Sequence, residues 1–217
     1  MVINVEYVKA PWNLEGKGYI LLYRFKRDFI NQNVKLPEFL EDKFSGGFGA
    51  VMLVDYNSSD AGPYGELLFI PGKFKHKKKK LNTISHIYVS SMESVVNGRR
   101  NWGIPKKQAQ FTFQALGQGR EQILVTRGEQ KIAEFTLRAK KLKFPVSTKL
   151  LPFPLVQKFK ERYYYTKFFG SGIGRLAKLE KITINTDLFP DFSEYKPLAV
   201  IKVEPFSITF PKAKIRY

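Results

Sequence analysis

Two adjacent lysines, Lys106 and Lys107, lie in the segment GRRNWGIPKKQAQF, which spans residues 98–111. A lysine amine can attack a ketone to form a Schiff base, and the resulting iminium accepts electrons from a bond that breaks at the neighbouring carbon. The attack requires a neutral amine. Burial among apolar groups such as Trp102 and Ile104 lowers a lysine pKa because the ammonium loses hydration, and a nearby cation adds repulsion. The alternative interpretation is a solvent-exposed turn after the proline, which composition alone favours.

Most other catalytic and metal-binding patterns are missing from the sequence. There is no cysteine, and only His76 and His86 are present, which excludes disulfides, cysteine catalysis and a zinc site built from Cys and His. No G-x-S-x-G motif or phosphate-binding lysine motif occurs, and GSGIG at 170–174 predicts a tight turn. An enzyme with this sequence would therefore use Lys, Asp, Glu, Tyr, Arg or backbone groups.

The hydrophobic periodicity favours β structure along most of the chain. Short apolar or alternating runs, rich in β-branched and aromatic residues, are separated by Gly, Pro, Asn and Ser. The predicted strands are 18–25, 50–56, 66–70, 83–89, 111–116, 121–127, 131–139, 163–169, 181–184 and 198–210, with a hairpin turn at 127–130 and short helices at 29–34, 37–42 and 91–97. This pattern predicts one mainly β (α+β) domain over 1–217, a barrel or sandwich with small helices at its ends.

The charge distribution is strongly basic, with 37 Lys and Arg against 19 Asp and Glu and a formal net charge of +18. The densest run is KFKHKKKK, Lys73–Lys80. Its simplest interpretation is a solvated segment between two strands, and the alternative is contact with nucleic acid or a membrane surface. No zinc-finger or RNA-binding signature supports that alternative. The sequence shows no bilayer-spanning apolar run and no signal peptide, so we expect a cytoplasmic protein.

The segment GRRNWGIPKKQA resembles the signature G-R-E-x-x-G-x-P-K-K-x-A of the acetoacetate decarboxylase superfamily. Further landmarks follow in the expected order: APW at 10–12, GPYGELLFIP at 62–71, HIYV at 86–89 and FPKAKIRY at 210–217. The resemblance spans nearly the whole chain and is densest over 62–111. It implies an antiparallel β-barrel or cone with a buried pocket, assembly into a homo-oligomer and a small keto acid as the substrate.

The resemblance also implies roles for individual residues. The Schiff-base lysine of the family corresponds to Lys106, its cationic neighbour to Lys107, and the glutamate of a Y-x-E motif to Glu66. The neighbouring cation would help to keep the nucleophile neutral, and the glutamate would assist proton transfer during iminium formation and enamine protonation. Tyr64 and Lys17 are candidate pocket residues from this comparison, and we add Tyr88, Trp102 and Ile104 as candidate pocket walls from the sequence itself.

Several positions depart from the family pattern. A second pocket glutamate of the decarboxylases aligns near Val51, an N-terminal arginine associated with the substrate carboxylate aligns with Lys17, and Arg100 replaces the glutamate after G-R. Strand alternation also disagrees with the motif, because it turns Lys107 rather than Lys106 towards the apolar interior. These departures leave acetoacetate open as the substrate.

The sequence leaves three functions to compare. The first is a Schiff-base-forming lyase that decarboxylates a small β-keto acid through an iminium on Lys106, without a metal or organic cofactor because the iminium is itself the electron sink. A related version performs aldolase-type or dehydratase-type chemistry on another keto acid. The second is a non-catalytic β-barrel that binds a small apolar or anionic ligand. The third is a basic protein that engages nucleic acid or membrane through Lys73–Lys80.

Overall fold

A computed structural model describes residues 5–217, and strands dominate it. The strands are β1 (Trp12–Tyr23), β2 (Gly49–Ser59), β3 (Tyr64–Ile70), β4 (Lys73–His76), β5 (Lys79–Asn82), β6 (His86–Val89), β7 (Lys107–Gln108), β8 (Gln110–Gly117), β9 (Arg120–Arg127), β10 (Gln130–Ser147), β11 (Leu155–Phe159), β12 (Arg162–Thr166), β13 (Phe169–Ile184), β14 (Ala199–Phe210) and β15 (Lys214–Arg216). The helices are α1 (Arg27–Asn33), a 3-10 helix (Glu38–Leu40) and α2 (Met92–Trp102). No helix among the described residues is long and apolar enough to cross a membrane. The prediction about a signal peptide depends partly on residues 1–4, which lie outside the described residues.

The strands form one large and one small sheet. Ten strands pair in the order β7-β6-β3-β2-β1-β14-β13-β10-β9-β8, and five pair in the order β15-β12-β11-β5-β4. Neighbouring strands are antiparallel except for β6 with β7 and β5 with β11. The large sheet curls until Phe111 of β8 packs against Gly65 of β3, where a Cβ atom would stand 2.7 Å from the phenylalanine ring. The predicted mainly β cone with a few short helices is therefore confirmed.

The two faces of the large sheet pack against separate apolar clusters. Tyr19 and Leu21 of β1 belong to the cluster inside the cone, whereas Trp12 and Leu14 belong to the cluster on the outer face. Strand β3 lies between the two clusters, and all seven of its residues are buried. A strand that is buried on both faces is expected to be almost entirely apolar. Glu66, in the middle of β3, therefore needs a partner.

Three local predictions can be compared directly with these elements. The hairpin predicted at 127–130 is present, since β9 ends at Arg127 and β10 begins at Gln130. The predicted helices at 29–34, 37–42 and 91–97 correspond to α1, the 3-10 helix and α2, although α2 continues to Trp102. The basic run at 73–80 was predicted as a segment between strands, but it forms the hairpin of β4 and β5 itself.

The prediction of a tight turn at GSGIG was wrong, because these residues lie within β13. A Cβ atom at Gly170 would stand 2.4 Å from the carbonyl oxygen of Ser207, and one at Gly172 would stand 2.5 Å from that of Pro205. Glycine therefore allows β13 and β14 to approach closely at these positions, which is the usual reason for glycine inside a strand.

Candidate active site

Helix α2 positions the lysine segment that follows it. The side chain of Ser91 caps the helix by accepting a hydrogen bond from the backbone N–H of Ser94 at 3.0 Å, and Gly103 ends the helix in the left-handed conformation at φ +67°. The chain then turns back, and the guanidinium of Arg99 donates to the carbonyl oxygen of Lys106 at 2.6 Å. Gly103 and Arg99 therefore hold the segment that contains Lys106 against α2.

The aliphatic part of Lys106 lies directly against Gly98. A Cβ atom at Gly98 would stand 2.8 Å from Cδ and 3.0 Å from Cε of the lysine. These distances are shorter than van der Waals contact, so any side chain at this position would displace the lysine. The glycine that opens the G-R motif therefore has a packing role at the lysine itself.

The ammonium of Lys106 is buried and has three hydrogen-bond acceptors. The side chain is only 5% exposed, and Nζ donates to Glu66 Oε2 at 3.1 Å. It also donates to Ser94 Oγ at 2.9 Å and to Tyr64 Oη at 3.4 Å. Three acceptors match the three N–H bonds of an ammonium group. The structure therefore joins the PKK motif, the Y-x-E motif and helix α2 in one polar cluster.

The electrostatics of this cluster favour the protonated lysine. Desolvation lowers the pKa of Lys106, but the charge of Glu66 and the hydrogen bonds to Glu66 and Tyr64 raise it, and the net direction is upward. Desolvation also raises the pKa of Tyr64, to about 12, although the charge of Lys106 opposes this shift. The resting site is therefore an ammonium–carboxylate pair beside a phenol. This corrects the expectation of an amine that a neighbouring cation keeps neutral.

Tyr56 and Ser94 belong to the cluster although neither was predicted. The hydroxyl of Tyr56 donates to Glu66 Oε1 at 3.2 Å, and burial raises the pKa of Tyr56 well above its ordinary value. Strand parity could have found it, since β2 pairs with β3 so that Tyr56 lies opposite Tyr64. Ser94 gave no comparable signal, because its proximity to the lysine depends on the turn after α2.

Val51, which aligns with the second pocket glutamate of the decarboxylases, does not face Glu66. Val51 pairs with Phe69 and belongs to the cluster inside the cone, whereas Glu66 pairs with Val54. Successive strand residues point to opposite faces, so Val51 lies across the sheet from Glu66. Strand β2 presents the phenol of Tyr56 to this carboxylate instead.

The pocket at Lys106 is small and its walls are mostly apolar. The wall residues are Trp12, Leu14, Tyr56, Tyr64, Leu68, Ile84, Ile87, Trp102, Ile104 and Phe210. The cavity volume is about 20 Å³, enough for about one water molecule. Three of the predicted pocket residues, Tyr64, Trp102 and Ile104, lie here. Among residues 5–217, no group of three or more His, Cys, Asp and Glu residues could hold a metal ion.

Three predicted site residues lie away from this pocket. Lys107 is exposed, and its Nζ lies 5.9 Å from the ring centroid of Tyr88, which belongs to the cluster inside the cone. Lys17 forms ion pairs at 3.6 Å with Asp55 and with Glu121. Strand alternation turns both Tyr88 and Lys17 to the face opposite Glu66. Neither residue therefore lines the Lys106 pocket.

Strand alternation correctly assigned Lys107 to the face of Tyr88, Ala109 and Phe111, but it did not show that the opposite face, with Lys106, is also buried against an apolar cluster. Strand β7 contains only Lys107 and Gln108, and Lys106 lies just before it. The backbone N–H of Lys106 donates to the carbonyl oxygen of Ile104 at 2.8 Å, which forms a tight turn before the strand. This turn directs the Lys106 side chain under α2, and Lys106 is 4% exposed. Arg100, the other departure from the motif, is exposed and lies over the ring of Tyr7.

Solved structures show the same fold. An acetoacetate decarboxylase from Legionella pneumophila matches with a TM-score of 0.73 and 16% sequence identity over 97% of this chain and 89% of that one. The enduracididine biosynthesis enzyme MppR, solved in complex with pyruvate, matches with a TM-score of 0.64 and 16% identity over 96% of this chain and 91% of that one. Both likenesses extend across the two sheets and the helix that carries the candidate site.

Sequence comparison identifies the family. Protein NEOXANTHIN-DEFICIENT 1 from Solanum lycopersicum is 30% identical over 113 residues, which are 50% of this chain. The match spans only 37% of the length of the tomato protein. The family model of acetoacetate decarboxylase (ADC) matches residues 5–170, which include β2, β3, α2 and both lysines. This chain therefore belongs to the acetoacetate decarboxylase family.

Proposed function

We propose that this protein is a Schiff-base-forming lyase that releases CO₂ from a β-keto acid through an iminium on Lys106. The observation that carries the proposal is the burial of the Lys106 ammonium at 3.1 Å from Glu66 in a pocket with apolar walls. Membership of the acetoacetate decarboxylase family supports the same chemistry. A buried lysine with an adjacent proton acceptor has the two features that a Schiff-base nucleophile needs.

The first steps form the iminium. Glu66 accepts a proton from the Lys106 ammonium when a bound substrate excludes the remaining water, and the free amine attacks the ketone carbon of the substrate. Glu66 then returns the proton to the hydroxyl of the carbinolamine, which leaves as water. The products of these steps are a cationic iminium and a carboxylate at Glu66.

The later steps release CO₂ and regenerate the lysine. The bond to the substrate carboxylate breaks, its electron pair moves towards the iminium nitrogen, and a neutral enamine forms. Tyr64, which holds its proton because its pKa is raised to about 12, donates to the enamine carbon and regains a proton from solvent. Water then hydrolyses the iminium and restores the Lys106 ammonium. The net reaction consumes one proton and needs no metal or organic cofactor.

Two alternatives are each favoured by a specific observation. The related enzyme MppR was solved with pyruvate and with a condensation product of pyruvate, which favours aldolase-type or dehydratase-type chemistry on another keto acid. The upward shift of the Lys106 pKa favours a non-catalytic binding protein, because an amine that stays protonated cannot attack a ketone. Homo-oligomeric assembly, a cytoplasmic location and contacts through Lys73–Lys80 stay predictions.

Borohydride trapping with acetoacetate and a panel of other keto acids, followed by peptide mass mapping, tests the proposal. We expect a reduced adduct on Lys106 that is absent from Lys106→Ala, together with release of CO₂. Lys107→Ala is the matched control, because this neighbouring lysine is exposed and should leave the adduct unchanged. An adduct without CO₂ release would support the aldol or dehydration alternative. No adduct with any keto acid would refute Schiff-base chemistry.

A further inference from the structure

A second and larger cavity lies beside the Lys106 pocket on the outer face of the large sheet. Its volume is about 370 Å³, which is in the usual range of small-molecule sites. Its walls come from β1, β2, β10, β13 and β14 and from the segment 150–153. Representative wall residues are Ile20, Met52, Val54, Phe153, Val203 and Phe206.

The chemistry of these walls is strongly apolar. No described residue that lines the cavity carries a charge, although the whole chain has a formal net charge of +18. Aliphatic and aromatic side chains dominate, and the only side-chain hydroxyls besides those of tyrosine are on Ser147, Thr148 and Ser171. A charged ligand would lose its hydration there without finding a partner, whereas a hydrocarbon chain would gain free energy on burial. The cavity therefore selects an apolar ligand.

The large cavity adjoins the proposed reaction centre. Tyr56 lines both the large cavity and the Lys106 pocket, and its hydroxyl donates to Glu66. Val54, also in the wall of the large cavity, pairs with Glu66 across β2 and β3. Strand partners of this kind lie side by side on one face of the sheet. A ligand in the large cavity thus reaches the residues beside the Lys106–Glu66 pair.

The volumes of the two cavities indicate where the rest of a substrate would lie. The pocket at Lys106 measures about 20 Å³ and cannot hold even the four carbons of acetoacetate without side-chain movement. The adjoining cavity of about 370 Å³ equals roughly a dozen water-sized groups at about 30 Å³ each. On this scale it has room for the roughly seven carbons that follow the ketone of 3-oxodecanoate.

We infer that the large cavity binds the hydrocarbon chain of the substrate, which is a keto acid with a medium-length alkyl or alkenyl chain rather than acetoacetate. The inference rests on the proposed function, because Lys106 is what requires a ketone next to the chain. In this arrangement the ketone lies beside Lys106 and the chain enters the large cavity next to Tyr56. The chain then extends over β2 and β1 towards β14.

A chain-length series tests the inference. We expect kcat/KM for CO₂ release to rise about fourfold for each methylene added between acetoacetate and 3-oxodecanoate, which corresponds to ~0.8 kcal/mol per buried CH₂. Ile20→Trp fills the cavity, so it should abolish the increase and lower kcat/KM for 3-oxodecanoate towards the value for acetoacetate. Leu142→Trp is the matched control, because Leu142 is 79% exposed and lies outside the cavity. A flat series, or an equal loss at every chain length in Ile20→Trp, would overturn the inference.

Binding of decanoate, which has no ketone, separates the two proposals. Decanoate that binds the wild type but not Ile20→Trp, without any keto-acid adduct on Lys106, would leave the chain site standing and refute the lyase. Adducts on Lys106 together with a flat series and no decanoate binding would refute the chain site and leave the lyase standing. Ile201→Phe, at the wall position that pairs with Ile20, replaces Ile20→Trp if circular dichroism shows that the tryptophan variant does not fold.

Discussion

Replacement of Glu66 by glutamine is the most direct perturbation of the buried pair. Glutamine keeps the shape of the side chain but removes the charge that faces Lys106. The two side chains are 5% and 6% exposed, and Nζ lies 3.1 Å from Oε2, a separation at which the gross attraction is about 5 kcal/mol for an effective dielectric constant of 20. Removal of one partner of a buried ion pair typically costs about 3–5 kcal/mol. We therefore expect Glu66→Gln to lower the free energy of unfolding at pH 8 by about this amount.

Urea denaturation monitored by circular dichroism measures this loss. Glu121→Gln is a suitable control, since Glu121 is also buried but its partners Lys17 and Lys202 are 36% and 15% exposed. The control should lose less stability, because water screens its pairs. The double variant Glu66→Gln/Lys106→Met should recover part of the loss, since an apolar replacement leaves no unpaired charge. A loss below about 1 kcal/mol, the value typical of exposed pairs, would refute the buried ion pair.

The pH dependence of this loss has a definite sign. Folding raises the pKa of Lys106, so the pair contributes its full stability below the unfolded-state pKa of about 10.4. That contribution is lost as the pH rises through the higher pKa of the folded state. The difference between wild type and Glu66→Gln should therefore shrink above pH ~10. A difference that grows with pH would contradict the assignment.

Three further predictions concern single residues around the site. Burial, together with Lys107 and Lys35, lowers the pKa of His86 to about 4, so an NMR titration should show a neutral ring at pH 5. The free energy of unfolding should fall by up to about 3 kcal/mol as the pH drops from 6.5 to 4. A titration midpoint near the ordinary histidine pKa would contradict this. Gly98→Ala should reduce adduct formation at Lys106 by more than about tenfold because its Cβ displaces the lysine, whereas Arg100→Ala, on the exposed side of α2, should leave it unchanged; equal effects would exclude a specific role for Gly98. Tyr64 should remain a phenol up to about pH 12, so the absorbance change of Tyr64→Phe subtracted from that of the wild type should show no ionisation near pH 10.

The features of the fold that could be predicted are those that depend on short stretches of sequence. Alternating apolar runs fixed the mainly β class, and the turn at 127–130 followed from glycine between two such runs. The glycines of GSGIG led to the wrong prediction of a turn, because they instead allow Ser207 and Pro205 of the neighbouring strand to approach closely. A glycine needed for a close approach of two strands looks the same in the sequence as a glycine needed for a turn.

The candidate site also has a part that the sequence predicted and a part that depends on contacts between distant residues. Lys106 and Glu66 were found through motifs, and Trp102 and Ile104 through their proximity in sequence to the lysine. Tyr88 was misplaced because its face of the sheet depends on the register of β6 against β3, in which Tyr88 pairs with Leu67 and not with Glu66. The upward pKa of the lysine was also missed, since it depends on the 3.1 Å contact with Glu66, forty positions away.

The tight turn that precedes β7 divides the two neighbouring lysines between opposite sides of the sheet. Lys106 points outwards under α2, whereas the ammonium of Lys107 lies at the Tyr88 side. The second lysine is therefore no spare nucleophile, and it cannot rescue a variant that has lost the first.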